Sequence, residues 1–124
     1  PSALPAMIKA ERIQEKAANV GFDWEKPEDV WSKVKEEITE FETELNAGNE
    51  KDMEKEMGDL FFALINAARL YHINPENSLE YTNRKFISRF NYIESKAKEA
   101  GLHLKDMTLE QMEALWQEAK SISK

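Results

Sequence analysis

The chain has 124 residues, 24 of them acidic and 17 basic, for a formal net charge of −7. With 41% hydrophobic and 33% charged residues it has the material for one folded domain, which excludes disorder, and its acidic surface excludes duplex nucleic acid and anionic membranes as main partners. It contains no cysteine, so there is no disulfide, no thiolate nucleophile and no Cys-ligated metal, a usage compatible with a cytoplasmic location.

Only four glycines and four prolines interrupt the sequence. That scarcity predicts an all-α chain, an antiparallel helical bundle of about five helices forming a single domain over residues 1–124. No signal-peptide pattern opens it, and a start at Pro1 rather than Met points to a removed methionine or an excised segment.

The first helix is expected from Pro5 to Asn19, with Gly21 as its left-handed stop. The second runs from Pro27 to Ala47. Its apolar positions Val30, Trp31, Val34, Ile38, Phe41 and Leu45 recur at three- and four-residue steps, the mark of a core-facing stripe. Gly48 ends it, and Asn49 with Asp52 caps a third helix from Glu50 to His72. That helix has almost no polar face after Met57 and is expected to be the central, most buried one. Its charge-free core, Leu60 to Ala68, is nine residues long, where a membrane span needs ~20. Asn74-Pro75 starts a fourth helix reaching Ala100, and Thr108 with Gln111 is a capping-box pattern for a fifth ending near Ser121. Trp24 and Trp31 are expected to be packing anchors.

Carboxylates concentrate around the turn at Gly48. Helix two carries Glu36, Glu37 and Glu40, the pattern EExxE, and helix three carries Glu56 and Asp59, the pattern ExxD. Glu40 and Glu56 each lie eight residues from Gly48, and Glu37 and Asp59 each lie eleven. In an antiparallel hairpin these pairs stand at matching heights, ~4.5 Å apart along the axis, between helices packed ~8–10 Å apart. Around helix two, Glu37 falls beside the apolar stripe, Glu40 further round and Glu36 nearly opposite it. EExxE alone also describes a solvated face of an acidic helix; its mirror image on an apolar helix favours a site. Four hard oxygen donors with no soft ligand suit Mg²⁺ or Mn²⁺, whereas a di-iron bundle needs Glu-x-x-His pairs that this chain lacks.

At these residues the chain resembles the MazG family of all-α nucleoside triphosphate pyrophosphohydrolases, whose signature is EExxE, a short loop and ExxD. The stretch KAANVGFDW, the run from Val34 to Glu40, EMGDLFFALINAARL, NRKFISRF and Leu115-Trp116 resemble the second, catalytic domain of tandem-domain MazG proteins. The resemblance covers nearly the whole chain and implies either a piece of a longer protein or a stand-alone version.

What the resemblance implies is Mg²⁺-dependent cleavage of a nucleoside triphosphate between its α- and β-phosphates, giving the monophosphate and pyrophosphate. It makes Glu37, Glu40, Glu56 and Asp59 the metal ligands and associates Lys33, Glu36, Lys55, Asn83, Lys85, Arg89 and Trp116 with the nucleotide. Glu36 and Glu37 are the candidate catalytic residues, Glu36 either orienting or deprotonating water or standing as a solvated charge. Lys85 and Arg89, four apart, would share a helix face toward the phosphates. Ser88-Arg89 replaces the two consecutive arginines frequent in the family. Trp116 stacks on a base or packs with Leu109, Met112 and Leu115. Family members also assemble into dimers or tetramers, so a homo-oligomer is expected. The competing reading is a catalytically silent helical domain that binds a nucleotide or a partner in regulation.

Overall fold

The computed structural model describes residues 4–122. They form α1 (Ala6–Asn19), α2 (Pro27–Ala47), α3 (Glu50–Leu70), α4 (Pro75–Glu99) and α5 (Leu109–Ile122), with a 3₁₀ turn at Leu104–Asp106. No strand occurs among the described residues, so the fold is all-α. Nor is any described helix long and apolar enough to cross a membrane. The chain divides into two compact units, Pro1–Glu76 and Asn77–Lys124.

In the first unit α3 packs on both α1 and α2. Gly48 closes α2 with φ 72 and ψ 18, a left-handed conformation that a residue without Cβ adopts at low cost. Asn49 then accepts the Asp52 N–H at 3.2 Å and caps α3. With only these two residues between them, α2 and α3 run antiparallel and their register is fixed. Val30, Val34, Ala63 and Ala67 are the buried core of this hairpin, joined by Leu60 and Leu70. Val34 and Ala63 lie fourteen and fifteen residues from Gly48, and Val30 and Ala67 eighteen and nineteen. The core pairs are therefore mirrored about the same turn as the carboxylates, and burying valine against alanine lets the helix axes approach closely. Apolar burial thus sets the heights at which the acids meet.

Three expectations of burial need correction. Only Val30 and Val34 of the α2 stripe are fully buried, and Trp31, Ile38 and Leu45 remain half-exposed. These three recur at seven-residue steps, just beside the 30–34–37 line that faces α3, so the helix carries two adjacent apolar lines rather than one. On α3, Ala63, Ile65 and Ala67 are buried while Phe61, Phe62 and Leu64 are exposed, because two neighbouring helices within a unit cannot surround a third. Trp24 is likewise 39% exposed, at the rim of a cavity instead of inside a core.

The second unit contains α5 and almost all of α4. Tyr92 Oη donates to Glu118 Oε1 at 2.7 Å, and Phe86 lies 5.3 Å from the Trp116 ring centre. The capping box at α5 is reciprocal: the Gln111 N–H donates to Thr108 Oγ1 at 3.1 Å, and the Thr108 N–H to Gln111 Oε1 at 2.8 Å.

Candidate metal centre and nucleotide site

Three carboxylates converge where the α2–α3 hairpin narrows. One oxygen each from Glu37, Glu56 and Asp59 lies within 4.8 Å of the others. Glu37 is buried, Glu56 partly buried and Asp59 exposed, so the group opens from the hairpin interior toward solvent. Glu40, the fourth member of the pattern, is exposed and lies beside this trio rather than within it. Its neighbour Glu37 holds its carboxyl above the usual carboxylate range, by hydrogen bonding to the protonated form first and by like charge second, with burial and Glu56 adding to the rise. Burial pushes the Glu56 carboxyl up as well, followed by the charges of Asp59 and Glu37.

The donor set fits a small divalent cation. Oε2 of Glu37 and Oε2 of Glu56 are both buried without a hydrogen-bond partner, an arrangement that costs free energy unless something positive meets it. Lys33 meets part of the charge: its Nζ lies 3.1 Å from Glu37 Oε1 and 3.3 Å from Glu36 Oε1. It is the one cation paired with these acids among the described residues. All the atoms left free are hard oxygens, the ligands that Mg²⁺ and Mn²⁺ take. Glu36 is exposed, one residue before the buried Glu37 and linked to it through the Lys33 ammonium.

The remaining residues of the sequence pattern have different surroundings. Lys55 is exposed on α3. In the second unit Asn83 and Lys85 are exposed, and the Lys85 ammonium stands 5.8 Å from the Tyr81 ring centre. Arg89 is only 9% exposed. Its guanidinium carbon lies 5.4 Å over the Trp116 ring and its Nε has no hydrogen-bond partner. Lys85 and Arg89 therefore do not share one solvated basic face: α4 turns Arg89 inward, and Trp116 packs against both Arg89 and Phe86.

Periodicity misses a second polar cluster of the first unit. Arg69 at the end of α3 forms a bidentate pair with Asp23 of the α1–α2 loop, at 2.6 and 3.1 Å. It also donates to Asn66, while Gln14 of α1 is buried and donates to the Phe62 carbonyl. Single polar residues in amphipathic helices carry no spacing signal, and the only hint was Asp23 between two aromatic residues.

Residues 25–93 match the family model of the MazG nucleotide pyrophosphohydrolase domain, a span that holds the whole carboxylate cluster. Over 94% of its length the chain is 38% identical to the nucleoside triphosphate pyrophosphohydrolase/pyrophosphatase MazG of Thermotoga maritima, covering 45% of that protein. Over 97% of its length it is 41% identical to the nucleoside triphosphate pyrophosphohydrolase of Escherichia coli K12, covering 46% of it. It is also 54% identical over 74 residues to YabN of Bacillus subtilis, 15% of that protein. The chain thus spans less than half the length of the first two relatives.

Proposed function

The chain belongs to the MazG nucleotide pyrophosphohydrolase domain family; from that premise we propose that it hydrolyses nucleoside triphosphates between the α- and β-phosphates, with Mg²⁺, to the monophosphate and pyrophosphate. The observation that supports this most is the convergence of Glu37, Glu56 and Asp59 with two buried oxygens unpaired. A triphosphate carries too much negative charge to approach five carboxylates unaided. With Glu40 as the fourth ligand, the cluster would hold an ion that neutralises the triphosphate and stabilises charge on the departing pyrophosphate.

The protein's own part is positioning. The hairpin register holds Glu37, Glu56 and Asp59 together before substrate arrives, so little reorganisation is left for the reaction. Lys33 draws Glu36 and Glu37 toward each other through one ammonium. Glu36, with its carboxylate in solvent, orients the attacking water and takes its proton as the oxygen bonds to the α-phosphorus. The bridging P–O bond then breaks, and its electron pair leaves on pyrophosphate. For Lys55, Asn83, Lys85, Arg89 and Trp116, the proposed contact with the nucleotide rests on the family resemblance.

The same proposal includes action as a single catalytic unit and assembly into a homo-oligomer. Trp31, Ile38 and Leu45 on α2, with Phe61 and Leu64 on α3, are each 40–49% exposed, apolar surface that a second copy would cover. Light scattering on the purified chain reads the assembly directly, and a monomer at assay concentration ends that part of the proposal.

The test of activity is incubation with a panel of NTPs and dNTPs, with Mg²⁺ or with EDTA, separating products by ion exchange. Monophosphate with pyrophosphate, lost in EDTA and carrying ¹⁸O in the monophosphate when run in labelled water, is the expected result. Diphosphate with phosphate overturns the bond assignment. No turnover of any nucleotide points to the silent binding domain.

A further inference from the structure

The ion pair of Lys33 and the carboxylate trio draw on one side chain. Glu37 is one of the three acids whose oxygens converge within 4.8 Å, and its Oε1 is also the nearer partner of the Lys33 ammonium, at 3.1 Å. The second partner, Glu36 Oε1 at 3.3 Å, lies on the same helix. Both ion pairs of Lys33 therefore stay within α2, at spacings of three and four residues, and neither fastens α2 to α3. The hairpin is held instead by Val30, Val34, Ala63 and Ala67 and by its caps. Lys33 can let go of Glu37 without opening the hairpin that sets the trio.

Exposure gives the direction of departure. The Lys33 side chain is 38% exposed, that of Glu36 58% and that of Glu37 only 7%, so the ammonium reaches Glu37 from the solvent side. A lysine ammonium is a compact charge on a flexible stem, and water replaces its donors' partners readily, where the planar fork of an arginine would bind both carboxylates in fixed geometry. A divalent cation on Glu37, Glu56 and Asp59 brings two positive charges to the carboxylate that holds this one, and like charges at ion-pair distances repel. The ammonium, with solvent beside it, is the one that can move.

We propose that Lys33 is an exchangeable counter-ion: its ammonium competes with the divalent cation for the Glu37 carboxylate, gives that carboxylate up when the cation binds, and so lowers the cation affinity of the nucleotide-free chain. Released from Glu37, the ammonium retains Glu36 as its partner. Lys33 is thus a positioning residue, acting on the centre through Glu37.

The inference rests on the metal-dependent reading of the trio, and its tests follow ion binding rather than turnover, so that the two can fail separately. Mn²⁺ serves as the probe, a cation that hard oxygen donors also take and whose free form is counted by its EPR signal. Lys33→Met keeps the stem and removes the competitor; it is expected to bind Mn²⁺ about fivefold more tightly than the unaltered chain, the worth of one accessible ion pair. Lys33→Arg holds both acids through its fork and is expected to bind Mn²⁺ more weakly. A lysine that served only to hold Glu37 in place for the ion would give the opposite sign with Lys33→Met. Equal or weaker Mn²⁺ binding by Lys33→Met therefore overturns the exchange, whereas failure of all three chains to bind Mn²⁺ overturns the metal-dependent reading together with it. The second measurement follows the ¹³Cε and ¹⁵Nζ signals of Lys33 and the side-chain carboxyl signal of Glu37 by NMR as Mg²⁺ is added to the unaltered chain. Both residues are expected to shift along one binding curve. A Glu37 carboxyl that responds to Mg²⁺ while Lys33 does not overturns the exchange and leaves the metal centre intact.

Discussion

Lys33 Nζ stands 3.1 Å from Glu37 Oε1, one turn back on the same helix, while Oε2 of that buried carboxylate has no partner. The lysine is thus a partial counter-ion to a cluster made for a larger charge. Lys33→Met keeps the stem and removes the ammonium. Because Lys33 is 38% exposed, the cost falls well below that of breaking a fully buried pair, at about 1 kcal/mol. In EDTA this is expected to lower Tm by about 3–5 °C, and saturating Mg²⁺ narrows the gap. An equal loss with and without Mg²⁺ would mean that Lys33 contributes only packing.

Glu37 is the buried member of the trio, and its removal tests the ligand set. Glu37→Gln preserves shape and hydrogen-bonding capacity but not the charge. The expected loss in kcat/KM is at least about a hundredfold, equivalent to about 3 kcal/mol of transition-state stabilisation, with an unchanged helical circular dichroism spectrum. A rate near that of the unaltered chain sinks the assignment of Glu37.

Glu56 gives the opposite sign in stability. Burial and the charges of Asp59 and Glu37 hold its carboxyl above the ordinary 4.5, so ionising it costs more in the folded chain than in the unfolded one. Glu56→Gln is therefore expected to raise Tm in EDTA at neutral pH and to shrink the Tm gain that Mg²⁺ gives the unaltered chain. The advantage of the variant fades as pH falls through the raised value and is gone below 4.5, where Glu56 is protonated in the folded and the unfolded chain alike. Thermal melts across that window check it; a variant less stable at every pH contradicts the repulsion.

Much of this site was legible because helices translate spacing into position. EExxE and ExxD at equal distances from Gly48 place Glu37 opposite Asp59 once two short cap residues make the hairpin, and Asn49 and Gly48 are recognisable as such. Side-chain direction was less legible. Arg89 and Lys85 share a helix face by spacing, yet Trp116 draws one of them inward, a contact between positions 27 residues apart that no local pattern encodes. The same holds for Gln14, Asp23, Asn66 and Arg69, which three separate segments bring together. Trp31, Ile38 and Leu45 read as core because periodicity reports apolar character, not which of two adjacent lines meets the neighbour.

The Asp23–Arg69 pair ties the α1–α2 loop to α3. The Arg69 guanidinium holds the Asp23 carboxyl below its ordinary 3.8, by hydrogen bonding first. Its two-point geometry and partial burial, 18% and 28% exposure, place it near the upper end for accessible pairs, at about 1 kcal/mol. Asp23→Asn is expected to lose that amount at neutral pH, read by urea unfolding. A lowered carboxylate stabilises above the unfolded value and stops doing so as pH falls through the folded one. The two chains should therefore converge below 3.8, and a difference that persists in acid points to lost packing of the loop instead.

His72 follows the last turn of α3 with φ 60, the one non-glycine residue with positive φ among those described. Its N–H donates to the Arg69 carbonyl at 3.1 Å and the Ile73 N–H to that of Ala68 at 2.8 Å, so it occupies the left-handed position of a Schellman stop, where glycine is favoured. A Cβ there costs about 1–2 kcal/mol, and the greater freedom of glycine in the unfolded chain offsets part of the relief. His72→Gly is expected to add about 0.5–1 kcal/mol, with His72→Ala gaining nothing because it keeps the Cβ. Urea midpoints for the three chains decide it. A glycine variant that is less stable would show that the imidazole contributes more than the backbone strain costs, which would make this turn a place where the chain keeps a histidine for its side chain.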